Sequence, residues 1–108
     1  RTAALADGIC DAALLQVYEI RYRPEERREP SWVELQAGKV ARGLAALEAS
    51  PPHLGEILDV AAIGTACALG YLDLRFAGKW RETHPRLVAW LDVFAARSPA
   101  YEATRFQG

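Results

Sequence analysis

The chain has 108 residues, 51% hydrophobic and 25% charged, enough apolar material for one folded domain, too short for two and too hydrophobic to stay disordered. Thirteen Lys and Arg against fourteen Asp and Glu give a formal net charge of −1. That leaves no cationic surplus for phosphate contacts and excludes a dedicated nucleic-acid or anionic-membrane binder.

Ala and Leu dominate, while Val, Ile and Thr are scarce and never alternate with polar residues over a strand's length. Such side chains lose little freedom in a helix. The composition therefore predicts an all-α fold, and periodicity divides it into four main helices and a short tail, a single helical bundle over residues 1–108. The sequence opens on Arg1 and contains no Met. A newly made protein starts with Met, so a fragment or processed product is expected.

The first helix is predicted from about Ala3 to Tyr22. Leu5, Ile9, Ala12, Ala13, Val17 and Ile20 recur at helical spacing as one apolar stripe. Cys10, Leu14, Tyr18 and Tyr22 step by four on a neighbouring face, so this helix has two surfaces to cover. Arg21 to Pro30 then interleaves Arg and Glu between prolines, which marks a solvated connector.

A second helix is predicted to begin at Ser31, where Ser31 and Glu34 have the spacing of a capping box: hydroxyl to the Glu34 amide, carboxylate back to the Ser31 amide. Val33, Ala37, Val40, Leu44 and Leu47 share its core face, and Ser50-Pro51-Pro52 ends it. The third helix is predicted from near Glu56 to about Phe76. From Val60 to Leu72 its only polar side chain is Thr65, so it reads as the central helix, buried all round. Thirteen residues rise about 20 Å, too little to cross a hydrocarbon core of about 30 Å. Gly64 and Gly70 weaken a helix by about 1 kcal/mol each, which points to close packing there.

The last main helix opens at His84-Pro85, with Pro suited to the first turn. Leu87, Val88, Leu91, Phe94 and Ala95 face the core, and Ser98-Pro99 stops it ahead of a tail containing Tyr101 and Phe106. Cys10 and Cys67 lie in apolar helical stretches and read as small buried hydrophobes. Two cysteines form no disulfide framework, no leader pattern is seen, and a reducing cytoplasm fits. His53 and His84 stand apart from each other and from the cysteines, giving no metal-ligand spacing. There is no phosphate loop or nucleophile elbow, so no catalytic residue is assigned.

Taken together, several segments resemble a known family. Asp7-Gly8-Ile9-Cys10-Asp11 opens the first helix, and Ile57-Leu58-Asp59-Val60-Ala61 opens the apolar one. Gly70-Tyr71-Leu72-Asp73-Leu74-Arg75-Phe76 closes the latter. His84-Pro85-Arg86-Leu87-Val88-Ala89-Trp90-Leu91 opens the last helix, followed by Arg97-Ser98-Pro99-Ala100-Tyr101-Glu102-Ala103-Thr104. This order resembles the helical C-terminal domain of cytosolic glutathione transferases, particularly bacterial ones, along essentially the whole chain.

The resemblance implies roles. Asp11 takes the position of the Asp that reaches across the dimer to the γ-glutamyl amine of glutathione, a charge-assisted hydrogen bond to an ammonium. Asp7 reads as support for the helix start. Val17 and Arg21 match positions that meet the electrophilic substrate, flanked by Leu14 and Tyr18; Arg21 departs from the aromatic of some members. Asp59 matches the Asp of a family capping box, with Glu56 in place of its Ser or Thr. At the tail Arg97-Ser98-Pro99 is a permuted form of the family ending, and Thr104 lies one place later. The implied whole is a homodimeric cytoplasmic enzyme that conjugates glutathione, its co-substrate, to small hydrophobic electrophiles. Its thiolate-activating residue would lie in an N-terminal thioredoxin-like domain of the same polypeptide, absent from these 108 residues. The alternative is a helical interaction domain of the same shape, used for assembly without transferase chemistry.

Overall fold

A computed structural model describes residues 2–55, 58–98 and 101. Its main elements are α1 (Thr2–Tyr22), α2 (Pro30–Ala49), α3 (Val60–Phe76) and α4 (Pro85–Arg97), with 3-10 turns at Glu25–Arg27 and Lys79–Glu82. Every regular element among the described residues is helical. No helix there is long and apolar enough to cross a membrane.

The core forms where small residues let α1 approach its neighbours. Ala6, Ile9, Ala12 and Ala13 are buried against α2 and α3. A Cβ placed on Gly43 of α2 would come within 2.7 Å of Ile9 Cγ1, closer than real contacts allow, so Gly43 is what lets Ile9 lie flat on the α2 backbone. Leu44 and Leu47 of α2, Leu69 and Leu72 of α3, and Leu87, Leu91 and Phe94 of α4 complete one cluster. The core stripes read from periodicity thus hold in part: Ile20, in the last turn of α1, is 52% exposed, while Val17 is only half-buried and Ala37 of α2 is exposed, because these two lie just off the arcs that their helices turn inward.

The start of α2 corrects the expected capping box. Pro30 takes the first helical position, where a missing N–H costs nothing, and the N-cap moves back to Glu29, whose side chain accepts from the Ser31 amide. The Ser31 hydroxyl donates to the same carboxylate at 2.8 Å. Ser31 therefore lies inside the helix, and the Ser31–Glu34 pair is not a cap.

Helix α3, by contrast, starts later than expected, at Val60. Asp59 is its N-cap, accepting from Ala62 N at 2.8 Å; Glu56 lies outside the described residues. Nor is α3 buried all round. Ala62, Thr65, Ala66, Ala68, Leu69 and Leu72 face inward, whereas Val60 and Ile63 are exposed, and so is Cys67, contrary to its reading as a buried hydrophobe. Close packing holds at Gly70, where an added Cβ would meet Tyr101 Oη at 2.8 Å; at Gly64 the nearest atom is Ala6 Cβ at an ordinary 3.7 Å.

Two tertiary devices join the elements. Asp73 accepts from Trp80 Nε1 at 2.9 Å and from Arg81 Nε and Nη2 at 3.0 and 2.7 Å, a bidentate pair that folds the 3-10 turn back onto α3 after the left-handed Ala77 and Gly78. The first turn of α4 is capped from afar. His84 supplies no side-chain cap and Pro85 no N–H, and Glu48 of α2 accepts from Arg86 N and Leu87 N, both at 2.9 Å. Trp90 Nε1 donates to Pro52 O at 2.7 Å and seals the same corner.

Candidate functional site

The candidate site follows from the geometry of one helix. At 100° per residue, Ala6, Ile9, Ala12, Ala13, Gln16 and Glu19 span an arc of about 140° on α1, and all six are buried. Asp7, Cys10, Asp11, Leu14, Val17, Tyr18 and Arg21 fall in a separate arc of about 120°, and none of these is buried. Apart from Cys10, which packs against the core near the edge of this arc, the residues singled out from the sequence therefore share a face turned away from the domain's own core.

Along this face the chemistry changes from acidic to aromatic and cationic. Asp11 is exposed and makes no hydrogen bond or ion pair among the described residues. Asp7, one turn before Asp11, is exposed on the same face. Leu14 and Val17 are half-buried, and Arg21 is exposed. Tyr18 packs edge-on against Tyr22, with ring centroids 5.3 Å apart and planes at 73°.

Tyr18 also reaches a groove that sequence reasoning did not anticipate. About 580 Å³ in volume, it lies between the end of α1 and the start of α2 and is lined by Leu15, Tyr18, Glu19, Tyr22, Arg23, Glu29 and Trp32. Neither Asp11 nor Leu14, Val17 or Arg21 lines it, so the structure divides the predicted set between the open helix face and this groove. The groove's wall is fixed by Glu19, 5% exposed, which accepts from Glu29 N at 2.7 Å and pairs with Arg23 Nε at 3.3 Å. Arg28 Nη2 donates to Ile20 O at 2.7 Å and ties the connector to α1. That connector is solvated, as its charge pattern indicates, but not loose. Its only sequence signal was the mixed charge run; the pairing with Glu19 spans ten residues.

A second hollow of about 310 Å³ lies between α2, the end of α3 and the turn after it, with an apolar floor of Val40, Leu44, Leu72 and Phe76 and with Lys79 and His84 in its lining. His84 Nδ1 lies 2.9 Å from Trp80 O and 2.8 Å from Thr83 Oγ1, so that nitrogen serves the turn. Among the described residues, no group of three or more His, Cys, Asp or Glu side chains is placed to hold a metal.

A helical domain with one acidic, aromatic and cationic helix face left outside its core defines the class, and comparison with known proteins identifies the family. The family model for the glutathione S-transferase C-terminal domain matches residues 30–93. The chain belongs to this family. It is 35% identical over 98 residues to the uncharacterized GST-like protein YibF of Escherichia coli (strain K12), a match covering 87% of this chain and 48% of that protein. A glutathione transferase family member from Pseudomonas fluorescens Pf-5, solved with bound glutathione, superposes with a TM-score of 0.88 at 46% identity over 96% of this chain and 51% of that one. The glutathione S-transferase of Methylobacillus flagellatus KT, solved with GSH bound, gives 0.86 at 34% identity over 96% and 53%. The chain thus spans about half the length of the relatives it matches.

Proposed function

We propose that this domain is the helical half of a glutathione-conjugating transferase, and that the outward face of α1 is its contribution to the active site. In this reading Asp11 holds the γ-glutamyl ammonium of glutathione, while Leu14, Val17, Tyr18 and Arg21 form the wall against which a small hydrophobic electrophile rests. The other half is an N-terminal thioredoxin-like domain of the same polypeptide, which carries the residue that activates the thiolate. The enzyme works in the cytoplasm as a homodimer, in which Asp11 serves the partner's glutathione.

The observation that carries this reading is the segregation on α1. A carboxylate without a hydrogen bond or ion pair among the described residues shares one face with side chains that join apolar bodies to polar tips, while the opposite face is fully committed to the core. Matched relatives with bound glutathione support the assignment of the ligand. The domain's part in the chemistry is positional: it holds an electrophile within reach of a thiolate activated elsewhere.

The test uses the full-length protein. It should conjugate glutathione to a chloronitrobenzene electrophile. Arg21→Ala or Tyr18→Ala should raise KM for the electrophile while leaving glutathione affinity in place. A full-length protein that neither binds glutathione nor conjugates it would overturn this reading in favour of a helical assembly domain.

A further inference from the structure

Two cysteines outside the proposed site lie on the adjoining helices α1 and α3, near enough for charge on Cys67 to act on the Cys10 thiol. Ala6 of α1 packs against Gly64 of α3, where an added Cβ would stand 3.7 Å from the Ala6 Cβ. That is the Cβ separation a disulfide needs, about 3.8 Å. One turn further along each helix come Cys10, four residues after Ala6, and Cys67, three residues after Gly64. On a helix such steps return to the same face, and the Ala6–Gly64 contact together with the action of Cys67 on Cys10 puts both cysteines on the adjoining faces of α1 and α3. Cys67 is exposed and Cys10 half-buried.

We propose that Cys10 and Cys67 are a dithiol site that closes to a disulfide between α1 and α3 by exchange with glutathione disulfide. The Cys67 thiolate attacks one sulfur of glutathione disulfide, forming a mixed disulfide on Cys67 and releasing one glutathione thiolate. Cys10 then gives its proton to solvent and attacks Cys67 Sγ, forming the Cys10–Cys67 bond and expelling the second glutathione thiolate, which takes up a proton. Glutathione disulfide gains two electrons and becomes two glutathione molecules; the pair of protein thiols loses them.

The charges around the inner thiol agree with this order. Burial pushes the Cys10 thiol up, and the neighbouring Cys67 on α3 and Asp11 and Asp7 on α1 push it further. Cys10 is therefore the slow, resolving thiol and Cys67 the one that captures. The site needs only an exposed thiol and a second on the adjoining helix, so it stands whether or not Asp11 contacts glutathione.

The experiment incubates the full-length protein with glutathione disulfide, blocks free thiols with N-ethylmaleimide and maps tryptic peptides by mass spectrometry without reduction. Peptides 2–21 and 43–75 should appear joined, two hydrogens lighter than their sum, and should separate on reduction with dithiothreitol. In Cys10→Ser, a lasting glutathione adduct should accumulate on Cys67. Maleimide labelling of both cysteines after incubation, or a stable adduct on Cys67 of the unsubstituted protein with Cys10 still free, would overturn the proposal.

Discussion

The two faces of α1 carry nearly the same number of named residues and behave in opposite ways. The inner face, built on Ala6, Ile9, Ala12 and Ala13, is buried to within 2% exposure, and its residues are interchangeable only with others of the same volume. The outer face holds Asp11, Tyr18 and Arg21 in solvent, and of its residues only Cys10 packs against the core cluster. A helix that needed only to fold would have no reason to concentrate unpaired charge and aromatic rings on one arc. The difference separates what keeps this domain folded from what it offers to other molecules.

Substitutions that break the inner side should show first in stability. Leu69, fully buried in α3, should cost about 2–5 kcal/mol on Leu69→Ala, the loss of burial plus a cavity. Gly43→Val should cost about 1–3 kcal/mol, because the new side chain must displace Ile9. Asp59→Ala removes the acceptor for Ala62 N and should cost about 1 kcal/mol, the value of an N-cap. Chemical denaturation ranks the three; an Asp59→Ala protein with an unchanged midpoint would mean that α3 keeps its start without this cap.

A kinetic prediction concerns Cys10, the residue of the outer arc that packs against the core cluster. Since burial and nearby negative charge hold the Cys10 thiol above its ordinary range, its neutral form persists to higher pH. Closure of the Cys10–Cys67 pair should accelerate as pH rises from 7 towards 9, read as the rate at which the joined peptide forms. A flat profile would mean that Cys10 is not the resolving thiol.

The sequence made the inner face legible because burial follows helical period: Ile9, Leu44, Leu47, Leu87, Leu91 and Phe94 were all read correctly from spacing. Where contacts are nonlocal, period is silent. Glu48 caps a helix 38 residues away, and Trp80 and Trp90 are buried because Asp73 and Pro52 supply acceptors for their indoles. Gln36 on α2 is 1% exposed and its Nε2 has no hydrogen-bond partner among the described residues, a placement no polar residue type signals. The capping box at Ser31 failed for a local reason: the preceding Pro30 starts the helix one residue early, and Glu29 does the capping.

The outer face was legible as an arc on α1, because 3.6-residue geometry alone places Asp11, Leu14, Val17, Tyr18 and Arg21 together. The groove beside Tyr18 was not, since it requires Trp32 and Glu29 to be brought across from α2. Exposure of Cys67 was missed for a related reason. An apolar helix reads as buried, and only packing shows that Ile63 and Cys67 are left on its open side.

The most direct test of the division sets two charge removals side by side in the full-length protein: Asp11→Asn on the outer face of α1, and Asp92→Asn on the exposed side of α4. Glutathione affinity is measured by isothermal titration, and stability by thermal melting. Both variants should stay within about 0.5 kcal/mol of the parent in stability, as surface changes do. Asp11→Asn should weaken glutathione at least about tenfold, the loss of one charge-assisted hydrogen bond, while Asp92→Asn leaves it unchanged. Equal glutathione affinity in all three proteins would contradict the account.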